Sequence, residues 1–179
     1  MDCEYILEQI TCANIADINK PNQEFTVFGR IVPIFDGKSW SFTEVLLHKP
    51  YEFRFPDDDI DYAEYINNPN KNIFFIYVDN ICAGQIRIRS NWNSFCYVED
   101  IAVESKMRNK GLAKLLFDAA EHWDRGYGLK GFMLEAQDFN LGACRMYYKY
   151  GFIIGSVDNM LYYNTKNKGD LALYWYKVF

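Results

Sequence analysis

The run Arg108-Asn109-Lys110-Gly111-Leu112-Ala113 joins a β-rich segment to an amphipathic one, and its residue types suit the binding of an anion. The first turn of a helix presents backbone N–H groups without intrahelical partners, together with the positive end of the helix dipole. A phosphate can bind there directly. Gly111 lets such a group approach the backbone with no Cβ in the way, and Ala113 keeps the next turn small. Arg108 and Lys110 bring positive charge beside the site. The plain alternative is a helix that merely starts with basic residues and a glycine. Basic residues at a helix start oppose the dipole, so a bound anion explains what local energetics does not. The spacing is not G-x-x-x-x-G-K-[ST], which argues against a nucleoside triphosphate loop. G-x-G-x-x-G is absent, which argues against a dinucleotide fingerprint.

Such a loop needs a strand before it and a helix after it. Residues 95–103 (FCYVEDIAV) predict the strand, and the helix runs from Arg108 to Gly126. Its apolar face is Leu112, Leu115, Leu116, Ala119, Ala120 and Trp123, spaced by threes and fours, and Gly126 and Gly128 close it. Upstream, residues 4–10 read as a strand and 12–19 as a short helix ending before Pro21. Two β-rich runs fill 25–47, separated by the turn signal Asp36-Gly37-Lys38. The acidic stretch Asp57 to Asp61 predicts a helix start, with the helix ending near Asn67-Asn68-Pro69. Strands follow at 72–79 and 81–89, joined at Asp79-Asn80. Downstream come a strand at 131–136, a helix at 140–149 stopped by Gly151, and strands at 152–157 and 171–178. No repeat, linker or low-complexity stretch interrupts them, so one α/β domain spanning 1–179 is the simplest account.

The 179 residues are enough to bury a real core, and 18% of them are aromatic, ample for a packed interior and an aromatic-lined pocket. The net charge of -5, with no block of Lys and Arg, disfavours nucleic acid and would suit a cationic partner. The five cysteines (Cys3, Cys12, Cys82, Cys96 and Cys144) form no CxxC pair, so neither a metal site nor a disulfide framework is expected. They read as reduced, mostly buried thiols of a cytoplasmic protein. The first residues lack a basic segment followed by an apolar one, so no signal peptide is expected. No apolar run approaches the ~20 residues of a membrane span.

At this point the chain resembles the GNAT superfamily of N-acetyltransferases. The stretch Tyr97-Val98-Glu99-Asp100-Ile101-Ala102-Val103, followed by Arg108-x-x-Gly111-x-Ala113, looks like that family's fourth strand and pyrophosphate loop. Asn140-x-x-Ala143-x-x-x-Tyr147-x-Lys149-x-Gly151-Phe152 looks like a second family block, and the two together span about residues 72–157. The resemblance implies a mixed, mostly antiparallel central sheet flanked by helices. It also implies acetyl-CoA as co-substrate, with no metal. A finer likeness is to the streptothricin (nourseothricin) acetyltransferases. It is carried by Glu99 to Val103, Leu134 to Asp138, Gly155 to Tyr162, Phe25 to Pro33 and Trp92-Asn93. It implies transfer to an amino group of the β-lysine part of that antibiotic. Competing expectations are another amine, such as a polyamine, an aminoglycoside or a peptide N-terminus, and a non-catalytic acyl-CoA sensor on the same fold.

The resemblance assigns roles residue by residue. An alkylamine has an unperturbed pKa of ~10.4 and arrives protonated, so a carboxylate must attract it and take its proton. Glu99 and Asp100 are the candidates, and strand alternation sends them to opposite faces, with Glu99 the favoured one. Their plain alternative is a partner for backbone or arginine. Tyr147 occupies the family position that protonates the departing thiolate. The backbone of Ile101, Ala102 and Val103 is expected to pair with the pantetheine arm as an added strand would. Arg108, Asn109, Lys110, Gly111, Leu112 and Ala113 hold the pyrophosphate, and Asn140 contacts the cofactor by family position. Glu135 and Asp138 are substrate-binding candidates, Asp138 with the alternative of an N-cap for the 140–149 helix. Asp57 to Asp61 reads better as a solvated helix start than as a lure for a cation. A covalent route through Cys96 needs an activating base, which His48 and His122 are not placed to supply. Leu171 to Phe179 reads either as core or as the edge of a homodimer.

Overall fold

The computed structural model describes residues 5–179. Glu4, the first residue of the strand expected at 4–10, and Cys3 lie outside them. The strands are β1 (Tyr5–Gln9), β2 (Phe25–Phe35), β3 (Trp40–Phe53), β4 (Lys71–Val78), β5 (Ile81–Ser90), β6 (Cys96–Val103), β7 (Gly131–Gln137), β8 (Ile153–Asp158) and β9 (Ala172–Val178). The α-helices are α1 (Leu112–Gly126) and α2 (Leu141–Lys149). The chain has an α/β fold, and its described residues fall in two compact units, one of residues 5–25 and 54–131, the other of 26–53 and 132–179.

In the first unit the strands run in the order β1-β4-β5-β6, every pair antiparallel. The β4–β5 turn is built on Asp79 and Asn80, at φ 50° and 63°, a left-handed pair that matches the twist of a tight hairpin. One face carries α1, whose buried residues are Leu112, Leu116, Phe117, Ala120, Trp123 and Asp124. Leu115 and Ala119, expected on that face, are half-buried, and Phe117 joins it instead. Helix and sheet approach closely at Gly84, where a Cβ would stand 2.9 Å from Ile76 and 3.1 Å from Leu116. On the other face Ile10, Tyr65, Ile73, Phe75 and Cys82 form a small second core.

Two expected helices in this unit are only 3-10 turns, Ile15–Asp17 and Tyr62–Tyr65. In the first, the Asn14 side chain accepts from the backbone of Thr11 at 2.7 Å and donates to that of Gln9 at 3.0 Å. Such local bonds compete with helix. In the second, Asp57 is held by Arg54 at 2.8 Å and Asp58 by Arg87, so two of the acids expected to line a helix start serve arginines instead.

In the second unit β2 and β3 form a long hairpin, its turn closed by Asp36 accepting from the backbone of Lys38 (2.8 Å) and Ser39 (2.7 Å). The remaining strands run β7-β9-β8, with Leu173 and Trp175 of β9 fully buried. Within this unit β9 is an inner strand, flanked by β7 and β8, while Val178 near its end is exposed. Helix α2 ends at Gly151, whose φ of 97° is the left-handed stop foreseen for it. No helix among the described residues is long and apolar enough to cross a membrane.

Candidate active site

In the first unit the candidate residues lie on the far face of the sheet, opposite α1. Gln85, Arg87 and Arg89 alternate along β5 with Gly84, Ile86 and Ile88, so all three polar chains share that face. In the register of β5 against β6, Arg87 faces Asp100 while Ile88 faces Val98, leaving Glu99 as the extra residue of a bulge. The bulge breaks the alternation. Glu99 meets Arg89 at 3.1 Å and Arg87 at 3.6 Å, while Asp100 meets Gln85 at 2.6 Å, so both acids lie on the same face. The expected division onto opposite faces is corrected by one inserted residue.

The two carboxylates have different company. Glu99 accepts from the Tyr65 hydroxyl at 2.6 Å as well as from Arg89, and the Arg87 charge stands close by. Two guanidiniums thus face this carboxylate. Asp100 is hydrogen-bonded by a neutral amide. Burial pushes its carboxyl above the ordinary range, against the pull of the Gln85 hydrogen bond and the Arg87 charge, with Asp58 and Asp57 adding to the rise. Burial thus makes the Asp100 carboxyl readier to hold a proton than an ordinary aspartate. Asp58 is not merely solvated, since it pairs with Arg87, whose side chain is only 7% exposed.

From β6 the chain enters the anion loop. Ile101, Ala102 and Val103 pair with Ile86, Gln85 and Gly84, an antiparallel ladder in which alternate residues turn their backbone groups to the other edge. Asn109 and Gly111 are left-handed, at φ 62° and 89°. A Cβ on Gly111 would meet nothing within 4 Å, so the space over the backbone there is open. Helix α1 begins directly at Leu112, later than Arg108, with no side-chain cap and no acid in its first turn. Its leading N–H groups and dipole are left to an outside anion. Lys110 and Gly111 are exposed, and Ala113 is half-buried. Arg108 does something other than stand free beside a phosphate. Its guanidinium donates to the carbonyls of Val103 (2.9 Å), Glu24 (2.8 Å) and Gln23 (3.2 Å), fastening the loop.

The second unit carries the remaining candidate residues. Asn140 is the N-cap of α2, accepting from the Ala143 backbone at 3.3 Å. The alternative of Asp138 as that cap is thereby corrected. Asp138 is instead almost wholly buried, bonded by Arg30 at 3.2 Å and by the Leu171 N–H at 3.1 Å, a node tying β2 to the approach of β9. Burial raises its carboxyl against those two partners, with Asp170 adding to the rise. Glu135 accepts from the Tyr162 hydroxyl, and burial outweighs that bond in raising its carboxyl. Tyr147 is buried between Phe152 and Trp175, ring centroids 5.8 and 6.2 Å away. Cys96 is fully enclosed, its thiol raised well above the ordinary range by burial and by Asp124, and His122 is exposed. An acyl-cysteine route has no activated nucleophile here.

The residues that sequence reasoning missed are Gln85, Arg87, Arg89 and Tyr65. The first three were visible as a polar stripe at every second position of β5. Among the described residues no group of three or more His, Cys, Asp or Glu side chains is placed to hold a metal ion.

Residues 40–152 match the model of the acetyltransferase (GNAT) family. The chain is 42% identical, over 97% of its length and 100% of the relative's, to streptothricin acetyltransferase A of Bacillus subtilis (strain 168). Its structure superposes on a Bacillus anthracis str. Ames protein crystallised with acetyl coenzyme A at a TM-score of 0.90, with 31% identity, covering 98% of this chain and 99% of that one. It also matches a nourseothricin acetyltransferase at a TM-score of 0.82 and 26% identity, covering 97% and 98% of the two chains.

Proposed function

This chain belongs to the acetyltransferase (GNAT) family and is an acetyl-CoA-dependent N-acetyltransferase, and we propose that its acceptor is an amino group of the β-lysine part of streptothricin. The observation that carries the acceptor is the end-to-end likeness to the Bacillus subtilis streptothricin acetyltransferase, 42% identical over all of that relative. Acetylation would remove a positive charge from the drug, so the physiological outcome is antibiotic resistance, exercised in the cytoplasm where acetyl-CoA is made. Residues 1–179 act as one acetyltransferase domain, with the cofactor-binding core at about 72–157. Nucleic acid is not a partner.

The chemistry divides among the named residues. The open backbone at Gly111 and the uncapped start of α1 fit a pyrophosphate, with Asn109, Lys110, Leu112 and Ala113 around it and Arg108 bracing the loop from behind. The backbone of Ile101, Ala102 and Val103 lines the pantetheine arm, and Asn140 contributes from its cap position. Asp100 accepts the proton of the incoming ammonium, because its hydrogen-bond donor is neutral and burial already favours its protonated form. Glu99, held by Arg89 and Tyr65, supplies negative potential for the cation. The neutral amine attacks the thioester carbonyl, the adduct collapses by breaking the C–S bond, and Tyr147 gives its proton to the departing thiolate and regains one from the acetylated nitrogen. Glu135 and Asp138 are the candidates for holding the rest of the acceptor. Asp138 is the weaker, since its oxygens already serve Arg30 and Leu171.

A thiol-release assay with acetyl-CoA tests this against streptothricin, spermidine, kanamycin and lysine. Turnover confined to streptothricin is the expected result. Faster turnover of another amine overturns the acceptor assignment. No turnover on any of them, with acetyl-CoA still bound, would make the chain a sensor.

A further inference from the structure

The polar face of β5 contains a hydrogen-bonded chain that ends on the proposed base. Gln85 is 3% exposed. Its amide oxygen accepts from the backbone N–H of Asn19 at 2.8 Å. Its amide nitrogen donates to the Asn19 side-chain oxygen at 3.2 Å and to Asp100 at 2.6 Å. A backbone N–H can only donate, so the Gln85 oxygen must face Asn19 and its NH2 must face Asp100. The amide cannot flip without losing all three bonds. Asn19 is held in turn. Its φ of 64° puts it in the left-handed region that asparagine tolerates better than most residues. Its own amide donates to the Tyr62 hydroxyl at 3.0 Å, and that hydroxyl donates to the Asp58 carbonyl at 2.9 Å.

On the assignment of Asp100 as the base, we infer that Gln85, locked by Asn19, is a positioning residue that aims the Asp100 carboxylate and keeps it ionised until the acceptor arrives. The other charged groups around Asp100 are engaged with partners of their own, and none of them hydrogen-bonds to it. Arg87 from β5 is tied to Asp58, Asp57 is tied to Arg54, and Glu99 is tied to Arg89 and Tyr65. Asp57 and Asp58 oppose ionisation of Asp100, and Arg87 and Gln85 support it. A hydrogen bond from Gln85 stabilises the charged form, so its loss moves the titration of Asp100 to higher pH.

The test is the pH dependence of kcat/KM for streptothricin in the wild type and in Asp100→Asn, Gln85→Met and Asn19→Gly, with the KM for acetyl-CoA and the thermal midpoint measured alongside. Gln85→Met should move the acid limb to higher pH. At the wild-type midpoint pH it should run at roughly a tenth of its own plateau, with the KM for acetyl-CoA unchanged. Asn19→Gly keeps the backbone donor and the left-handed conformation, so it should fold and show a smaller shift in the same direction. It carries the test if Gln85→Met does not fold. An Asp100→Asn enzyme that keeps the wild-type rate and acid limb overturns the assignment of the base. If Asp100→Asn abolishes the limb while Gln85→Met and Asn19→Gly leave it where it was, lowering the rate equally at every pH, the base stands and the positioning role of Gln85 falls.

Discussion

Asp124 sits on the buried face of α1 with no exposure to solvent, and neither of its carboxylate oxygens has a hydrogen-bond partner among the described residues. Burial pushes its carboxyl up to about 7, against the nearby Cys96 thiol, a weak donor, and with Glu121 adding to the rise. An unfolded aspartate titrates near ~3.9. The folded protein therefore keeps a proton that the unfolded chain releases between those values, and each rise in pH across that window favours unfolding. The stability associated with this group is complete below ~4 and is lost as pH rises through about 7, amounting to about 4 kcal/mol over the whole window. Between about pH 5 and pH 8 the loss is roughly 2.5 kcal/mol. Asp124→Asn removes the titration. Urea unfolding at a series of pH values should show the wild type losing that much more stability than the variant over the same interval. The slope is the readout, because the buried Asn amide also lacks partners and shifts the absolute stability at every pH. A variant that keeps the wild-type slope would refute the account, since the pH dependence would then belong to other groups.

Two further outcomes follow from the site itself. Gly111→Ala forces an alanine to φ 89°, which should cost about 1–2 kcal/mol of stability in urea unfolding and raise the KM for acetyl-CoA in a thiol-release assay more than it changes kcat. Tyr147→Phe keeps the packing against Phe152 and Trp175 but removes the proton donor. Calorimetry should find acetyl-CoA affinity little changed while turnover falls roughly a hundredfold, and unchanged turnover would remove Tyr147 from the mechanism.

The strands and both α-helices were legible because each has a period that a buried face imposes, as the apolar spacing from Leu112 to Trp123 illustrates. The anion loop was legible because glycine at a left-handed helix start has a physical cause. The orientation of Glu99 and Asp100 was not. A bulge is one residue of mismatch between two strands, and nothing in the CYVEDIAV pattern of β6 alone reveals what β5 opposes to it. Nor did the basic character of Arg108 show that three carbonyls, two of them in residues 23–24, would claim its guanidinium. Asp138 looked like a cap because it precedes a helix by a few residues, yet the chain turns once more and Asn140 takes that place. The polar stripe of β5 was present in the sequence but has no motif attached to it. Its meaning depends on Asn19, 66 residues away.

Strand β9 lies between β7 and β8, although it follows both in the chain. Neither neighbour can complete its ladder until residues 172–178 are threaded between them, and β8 is separated from β9 by an exposed loop that must first close. Closing that loop costs entropy before any hydrogen bond repays it. The second unit's sheet should therefore form late and cooperatively, with the insertion of one strand as its slow step. While that gap stands open, the edges of β7 and β8 that β9 pairs with are bare, and unpaired edges of this kind expose a chain to aggregation during folding.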